Sequence, residues 1–225
     1  MDLAELLALP GVEEICVLRS RVGFMALHGG SQDRGTHEIA CRAAERSGAS
    51  YYAIVQPRDL RVHLTSRHHD PNQSPQMSAF LHHVEVAISV HGFGRDSFEV
   101  GVDAAGGLVL KPYGPALRGR QTGPLRGIIV GGLNAALVDM ACRLLGDGDR
   151  LPGYDAGSER VRLGFHPRNP VNLPAAHGVQ IELPPALRGI GDLGEELAPS
   201  QDGIVTEVIA ALVELADGAA AMGCS

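Results

Sequence analysis

Two histidines, His28 and His91, each close an apolar run and are each followed at once by glycine: "VGFMAL-H-GG" and "VEVAISV-H-GF". A continuous apolar run of that length reads as a strand buried on both faces. In open α/β sheets, sites gather at the carboxyl ends of such strands. Asp33 follows His28 in the same glycine-rich loop, and Glu182 lies in a third strand-like run, "GVQIELP". Two imidazoles and a carboxylate form a ligand set of catalytic zinc, with a fourth position left for water. His28 and Asp33 would make half of such a site from one loop, and His91 would close it from a neighbouring strand. One divalent ion there would bring the pKa of its water toward about 7 and polarise a carbonyl. Glu182, off the metal, is the candidate to take the water's proton and pass it to a leaving nitrogen.

Each of these residues also has a plainer reading. A strand-end histidine can be a hydrogen-bonded structural residue, Glu182 can be a solvated edge residue, and "GTHEIA" can be a capped helix with Glu38 near its positive end. "RHHD" at 67–70 and the His82–His83 pair read as surface, because adjacent histidines do not readily turn both rings to one ion.

The elements that must position these residues alternate along the chain. A short helix over 3–9 precedes Pro10. "EEICVLRS" and "RVGFMALH" read as strands joined by a tight polar turn near Ser20–Arg21. "GTHEIACRAAERSG" reads as a helix, with Thr36 as its N-cap, Gly48 as its C-cap, and Ile39, Ala40, Ala43 and Ala44 on one face. "SYYAIVQ" and "RVHLTS" are strand candidates, "HHDPNQSP" a loop, and "PQMSAFLHHV" a helix before the strand ending at His91. The Gly-, Pro- and Arg-rich stretch 103–126 reads as an irregular insertion or a small hairpin. "GIIVGG" is a strand, "NAALVDMACRLLG" a helix, the segment from Tyr154 to Gly178 mostly loop, "GVQIELP" a strand, and "DGIVTEVIAALVELADG" a final helix capped by Asp202. Strands alternating with helices, several of them apolar throughout, define an α/β class. A mixed, mostly parallel central sheet with helices on both faces is expected, in a single domain over residues 1–225.

Composition narrows the function. Lys and Arg number 19 against 26 acidic residues, for a net charge of −7, and aromatics make up only 4% with no Trp. Neither a basic phosphate-tracking patch nor a stacking platform is visible, so nucleic acid is not an expected partner. The cysteines Cys16, Cys41, Cys142 and Cys224 never form CxxC, which excludes a zinc ribbon or a thioredoxin-type pair. The first residues, "MDLAELLALPG", carry acids where a secretion signal needs bases. No apolar run approaches the roughly 18 residues of a membrane span. A cytoplasmic protein without a membrane partner is expected.

Six segments in order carry a resemblance: "ALHGGSQDRGTHEIA", "HLTSRHHDP", "AISVHGFG", "IIVGGLN", "NPVN" and "GVQIELPPALR". Together, from about residue 23 to 189, they resemble the poly-γ-glutamate hydrolase family, often labelled phage-related replication proteins. That resemblance implies a zinc-carboxypeptidase-like fold and metal-dependent hydrolysis of γ-glutamyl amide bonds. It places His28 and His91 on the zinc histidines, Asp33 where the family usually has a glutamate ligand, and Glu182 on the catalytic acid. Arg188 and Asn172 fall at positions implied to lie near the substrate, and His63 falls in a family motif. Leu173 stands where an arginine usually follows Asn172, so Arg168 is the alternative cation for a substrate carboxylate. The implied substrate is a small or polymeric γ-glutamyl amide. The competing function is a non-catalytic binding domain that kept the scaffold and lost or weakened the metal, with the shorter Asp33 as its support. DNA replication has only the family label behind it.

Overall fold

The structure, a computed structural model, describes residues 1–93, 98–102, 108–112, 127–157, 164–190 and 202–223. Its strands are β1 (Glu13–Val17), β2 (Val22–Gly30), β3 (Ser50–Gln56), β4 (Val86–Gly92), β5 (Phe98–Val102), β6 (Leu108–Pro112), β7 (Gly127–Gly131), β8 (Asp155–Gly157) and β9 (Gly178–Leu183). Its α-helices are α1 (Leu3–Leu7), α2 (Thr36–Ser47), α3 (Pro75–His83), α4 (Ala135–Leu145) and α5 (Asp202–Gly223). Seven strands form one sheet in the order β1-β3-β2-β4-β9-β7-β8. The central four, β3, β2, β4 and β9, run parallel; β1 and β7 are antiparallel to their inner neighbours, and β8 runs with β7. The expected α/β class with a mixed, mostly parallel sheet is what is found.

The central strands β2, β4 and β9 are buried on both faces, as their largely apolar sequences favour, and the few polar residues they carry, His28, Ser89, His91, Gln180 and Glu182, are buried with them. Phe24, Ala26, Ile88, Val90, Val179 and Ile181 face one cluster with the apolar stripes of α2, α4 and α5. Met25, Leu27, Tyr52, Ile54 and Ala87 face the other, with Leu3 and Leu6 of α1 and Met77 and Phe80 of α3. Ser74 caps α3 by accepting from Met77 N–H, with Pro75 in the first turn. Asn134 caps α4 in the same way through Leu137 N–H.

Several expectations are corrected. β1 and β2 are consecutive but not neighbours, because β3 lies between them and pairs with both. The cap of α2 is Gly35, in the left-handed region at φ 84°, and Thr36 is already helical, with its hydroxyl donating to Asp33 C=O at 2.7 Å. Gly48 does close that helix. "RVHLTS" forms no strand; it runs as loop into a 3₁₀ turn at Ser66–His68. Within the stretch read as an insertion or hairpin, β6 pairs antiparallel with β5. The rest of 103–126 lies outside the described residues, as does the capping side chain of Asp202.

Candidate functional site

Strict alternation along β2 would send His28 to the α2 side of the sheet, with Phe24 and Ala26. A bulge prevents this. The ladder to β3 steps from Ala26↔Ala53 to Gly29↔Val55, three positions on β2 against two on β3. The extra residue lets Leu27 and His28 both reach the face that carries Met25, and re-aiming a side chain beside a site is a known use of such bulges. Gly30 then takes φ 74°, and a Cβ there would lie 2.0 Å from the Gln56 carbonyl oxygen, so only glycine fits. On β4 and β9 the same face carries Ser89 and His91, in register with Gln180 and Glu182.

His28, Asp33 and His91 meet there and are all buried. His28 Nδ1 lies 3.3 Å from Asp33 Oδ2 and 3.2 Å from His91 Nδ1, and His91 Nδ1 lies 3.7 Å from Asp33 Oδ2. A tetrahedral ion with bonds of about 2.0–2.2 Å spaces its donors by roughly 3.3–3.6 Å, so this triangle has the size a zinc ion needs. The opposite nitrogens are already engaged. His28 Nε2 is 2.8 Å from Leu64 C=O, an acceptor only, so that nitrogen carries the hydrogen and Nδ1 points its lone pair inward. His91 Nε2 is 2.9 Å from Ser89 Oγ. Such outer partners fix ligand tautomers in metal sites. Asp33 is oriented by Gly92 N–H on Oδ2 at 3.1 Å, and its own N–H donates to His28 C=O at 2.7 Å. The loop therefore delivers the shorter aspartate into the cluster.

The inward lone pair of His28 and the Asp33 carboxylate, with the His91 Nδ1 beside them, are drawn together by a cation placed between them. Burial works against a charged His28, but the Asp33 carboxylate, with the Leu64 carbonyl and Glu182 behind it, more than offsets this and raises its pKa above the ordinary value. Burial likewise disfavours an ionised Asp33, and its contacts with the two histidines hold it well below the usual carboxylate range. The donor chemistry fits a divalent ion of the zinc type.

Glu182 is buried at 7% exposure on a central strand, not solvated at an edge. Burial pushes its pKa up; His91 lowers it and Asp33 raises it. Its Oε1 accepts from Gln180 Nε2 at 2.8 Å, and Gln180 Oε1 accepts from Asn169 Nδ2 at 2.8 Å. This buried relay holds the carboxylate.

The remaining candidates sit at varied distances from the chemistry. His63 is exposed, with its ring 5.2 Å from that of His28. Asn172 is buried, its amide accepting from Leu133 N–H and donating to Gly164 and His166 carbonyls. Arg168 is exposed on the loop before it. Arg188 ends a 3₁₀ turn after β9 and donates to three backbone carbonyls.

Sequence reasoning missed Ser89, Gln180, Asn169 and His69. The first two stand two positions before His91 and Glu182, so strand alternation alone could have placed them on the site face. His69, assigned to the surface, is buried with its ring 5.6 Å from His28. Its Nδ1 is 3.3 Å from Thr65 C=O, its Nε2 has no partner among the described residues, and burial lowers its pKa to about 3. The other three histidines of the two surface-assigned pairs behave more as expected: His68 and His82 are exposed and His83 is half-buried.

Residues 10–108 match the poly-gamma-glutamate hydrolase family, and the resemblance carried by the motifs is borne out there. Along nearly its whole length the chain has the fold of a bacteriophage poly-gamma-glutamate hydrolase, at 20% identity over 98% of this chain and 95% of that one, TM-score 0.68. It is also similar to the zinc-free apo form of YNDL, at 19% identity, 89% of both chains and TM-score 0.61. A third likeness is to N-formylglutamate amidohydrolase from Ralstonia eutropha, at 14% identity, 91% and 97% coverage, and TM-score 0.57. No curated protein matches the sequence. The family matched over residues 10–108 is one of hydrolases, the solved structures share the fold, and the buried His28–Asp33–His91 group could hold a metal ion. No described helix is long and apolar enough to cross a membrane.

Proposed function

We propose that this protein is a zinc-dependent amidohydrolase acting on γ-glutamyl or related carboxylated amide bonds. The observation that carries the reading is the triangle of buried donor atoms on His28, Asp33 and His91, sized for a tetrahedral ion, with Glu182 in register beside His91. An ion held by those three residues supplies a Lewis acid for the scissile carbonyl and makes water acidic enough to react near neutrality. Glu182 takes the proton of the attacking water and returns it to the departing amine. Its burial raises its basicity for the first transfer, and the Gln180 hydrogen bond keeps its oxygen in place. The γ-glutamyl substrate class follows from the family matched and the phage enzyme the fold resembles. A net charge of −7 gives no long-range attraction for a long polyanion, which favours a short γ-glutamyl amide. The binding-domain alternative rested on Asp33 being too short to reach the metal, and the position of its carboxylate against both imidazoles argues for the hydrolase.

The test is metal content of untagged protein, followed by hydrolysis of γ- and α-linked glutamyl peptides. About one zinc per chain, lost in His91→Ala, with cleavage of the γ-linked peptide, is expected. Metal-free protein whose stability does not respond to zinc would refute the reading.

A further inference from the structure

The guanidinium of Arg188 ties together the three chain segments that bear the site. Nε donates to Leu183 C=O at 3.1 Å, Nη1 to Arg34 C=O at 2.6 Å and Nη2 to Phe93 C=O at 3.0 Å. Leu183 directly follows Glu182, Arg34 directly follows Asp33, and Phe93 lies two residues beyond His91. The planar fork of arginine can serve three acceptors in fixed directions, which a lysine ammonium on its flexible stem cannot reproduce. The group lies over Gly92, where a Cβ would fall 2.6 Å from Arg188 Cζ and 2.7 Å from Nε and Nη1. Gly92 is also the residue whose N–H orients the Asp33 carboxylate.

We propose that Arg188 is a positioning residue of the metal site: it locks the Asp33 loop and the ends of β4 and β9 at the spacing the ion requires. This rests on the zinc reading above and departs from the motif's implication that Arg188 holds a substrate carboxylate. The sign of the effect separates positioning from charge. A nearby cation repels a divalent ion, so loss of the charge alone would tighten zinc binding. Loss of the clamp weakens it.

The experiment titrates zinc into chelator-stripped protein against a chromophoric competitor, for wild type, Arg188→Met, Arg188→Lys, Gly92→Ala and the Arg188→Met/Gly92→Ala double variant. Arg188→Met and Gly92→Ala are each expected to weaken zinc by about 10–100-fold, the range for outer-shell partners. Arg188→Lys should recover only part of this. The double variant should be no worse than the weaker single one, because without the guanidinium the added methyl has room. If Arg188→Met does not fold, Gly92→Ala, which keeps the arginine, carries the test alone. Unchanged zinc affinity in the folded variants overturns the proposal, whether KM rises, as a substrate-binding arginine requires, or only the zinc-free melting temperature falls, as a general staple requires. Wild-type protein that takes up no zinc overturns both this inference and the hydrolase reading.

Discussion

Zinc uptake should expel a proton from the cluster, and the structure says which one. Leu64 C=O fixes the hydrogen of neutral His28 on Nε2, so the additional proton of the charged ring sits on Nδ1, between Asp33 Oδ2 and His91 Nδ1. Because Asp33 raises the pKa of His28, the zinc-free cluster holds that proton at slightly acidic pH, where the metal must displace it. Isothermal titration calorimetry at pH 6, in two buffers of different ionisation enthalpy, should give about one proton released per zinc. The release should fade as pH rises through the His28 pKa. Apparent affinity should then climb by up to about tenfold per pH unit below that pKa and flatten above it. Zinc at about 100 times its Kd should add ~2.7 kcal/mol of stability, a rise in Tm of roughly 5–11 °C at about 2–4 °C per kcal/mol for a chain of this size. The zinc-free protein should behave oppositely. A histidine with a raised folded-state pKa contributes stability that is fully present below its unfolded pKa of about 6.5 and lost as pH rises through the folded value. Zinc binding at pH 6 without proton release, or an affinity that does not change between pH 5.5 and 8.5, would refute the assigned arrangement of protons and ligands.

Glu182→Gln should retain wild-type zinc affinity while kcat falls by about 10²–10⁴, the range for a general acid–base group, measured on a γ-glutamyl peptide. Gln180→Leu removes the donor to Glu182 Oε1, so the acidic limb of its kcat/KM profile should move to higher pH; an unmoved limb would take Glu182 out of the proton transfer. His69 is buried with its pKa lowered to about 3, so its contribution to stability is present above pH 6.5 and is lost as pH falls toward 3, at up to about 1.4 kcal/mol per pH unit. His69→Phe should therefore lose less stability than wild type between pH 6.5 and 4 in urea unfolding, and equal pH slopes would contradict the neutral buried imidazole.

What could be read in advance divides along a physical line. His91 was readable because a largely apolar strand ending in a polar residue has few other solutions in an α/β sheet, and Glu182 because it falls near the end of another strand-like run. Their register across β4 and β9 then follows from the parallel ladder. His28 was selected for the same reason, but alternation alone would have aimed it at the wrong face. Its arrival depends on the bulge at Ala26–Gly29, which periodicity cannot reveal because a bulge is defined by the partner strand. The shorter Asp33 reaches the cluster through contacts from elsewhere in the chain: Gly92 N–H draws in its carboxylate, and Arg188 ties down the peptide that follows it. His69 was passed over because adjacent histidines in a loop were read together as surface, whereas His68 ends a 3₁₀ turn and faces solvent while His69, the residue after it, turns inward. These cases share one cause. The residue type announces the chemistry, whereas the direction of the side chain is set by long-range partners such as Leu64, Ser89, Gln180 and Arg188, which make no local pattern. A substitution at one of those partners should therefore alter metal affinity or the pH profile while every ligand remains present.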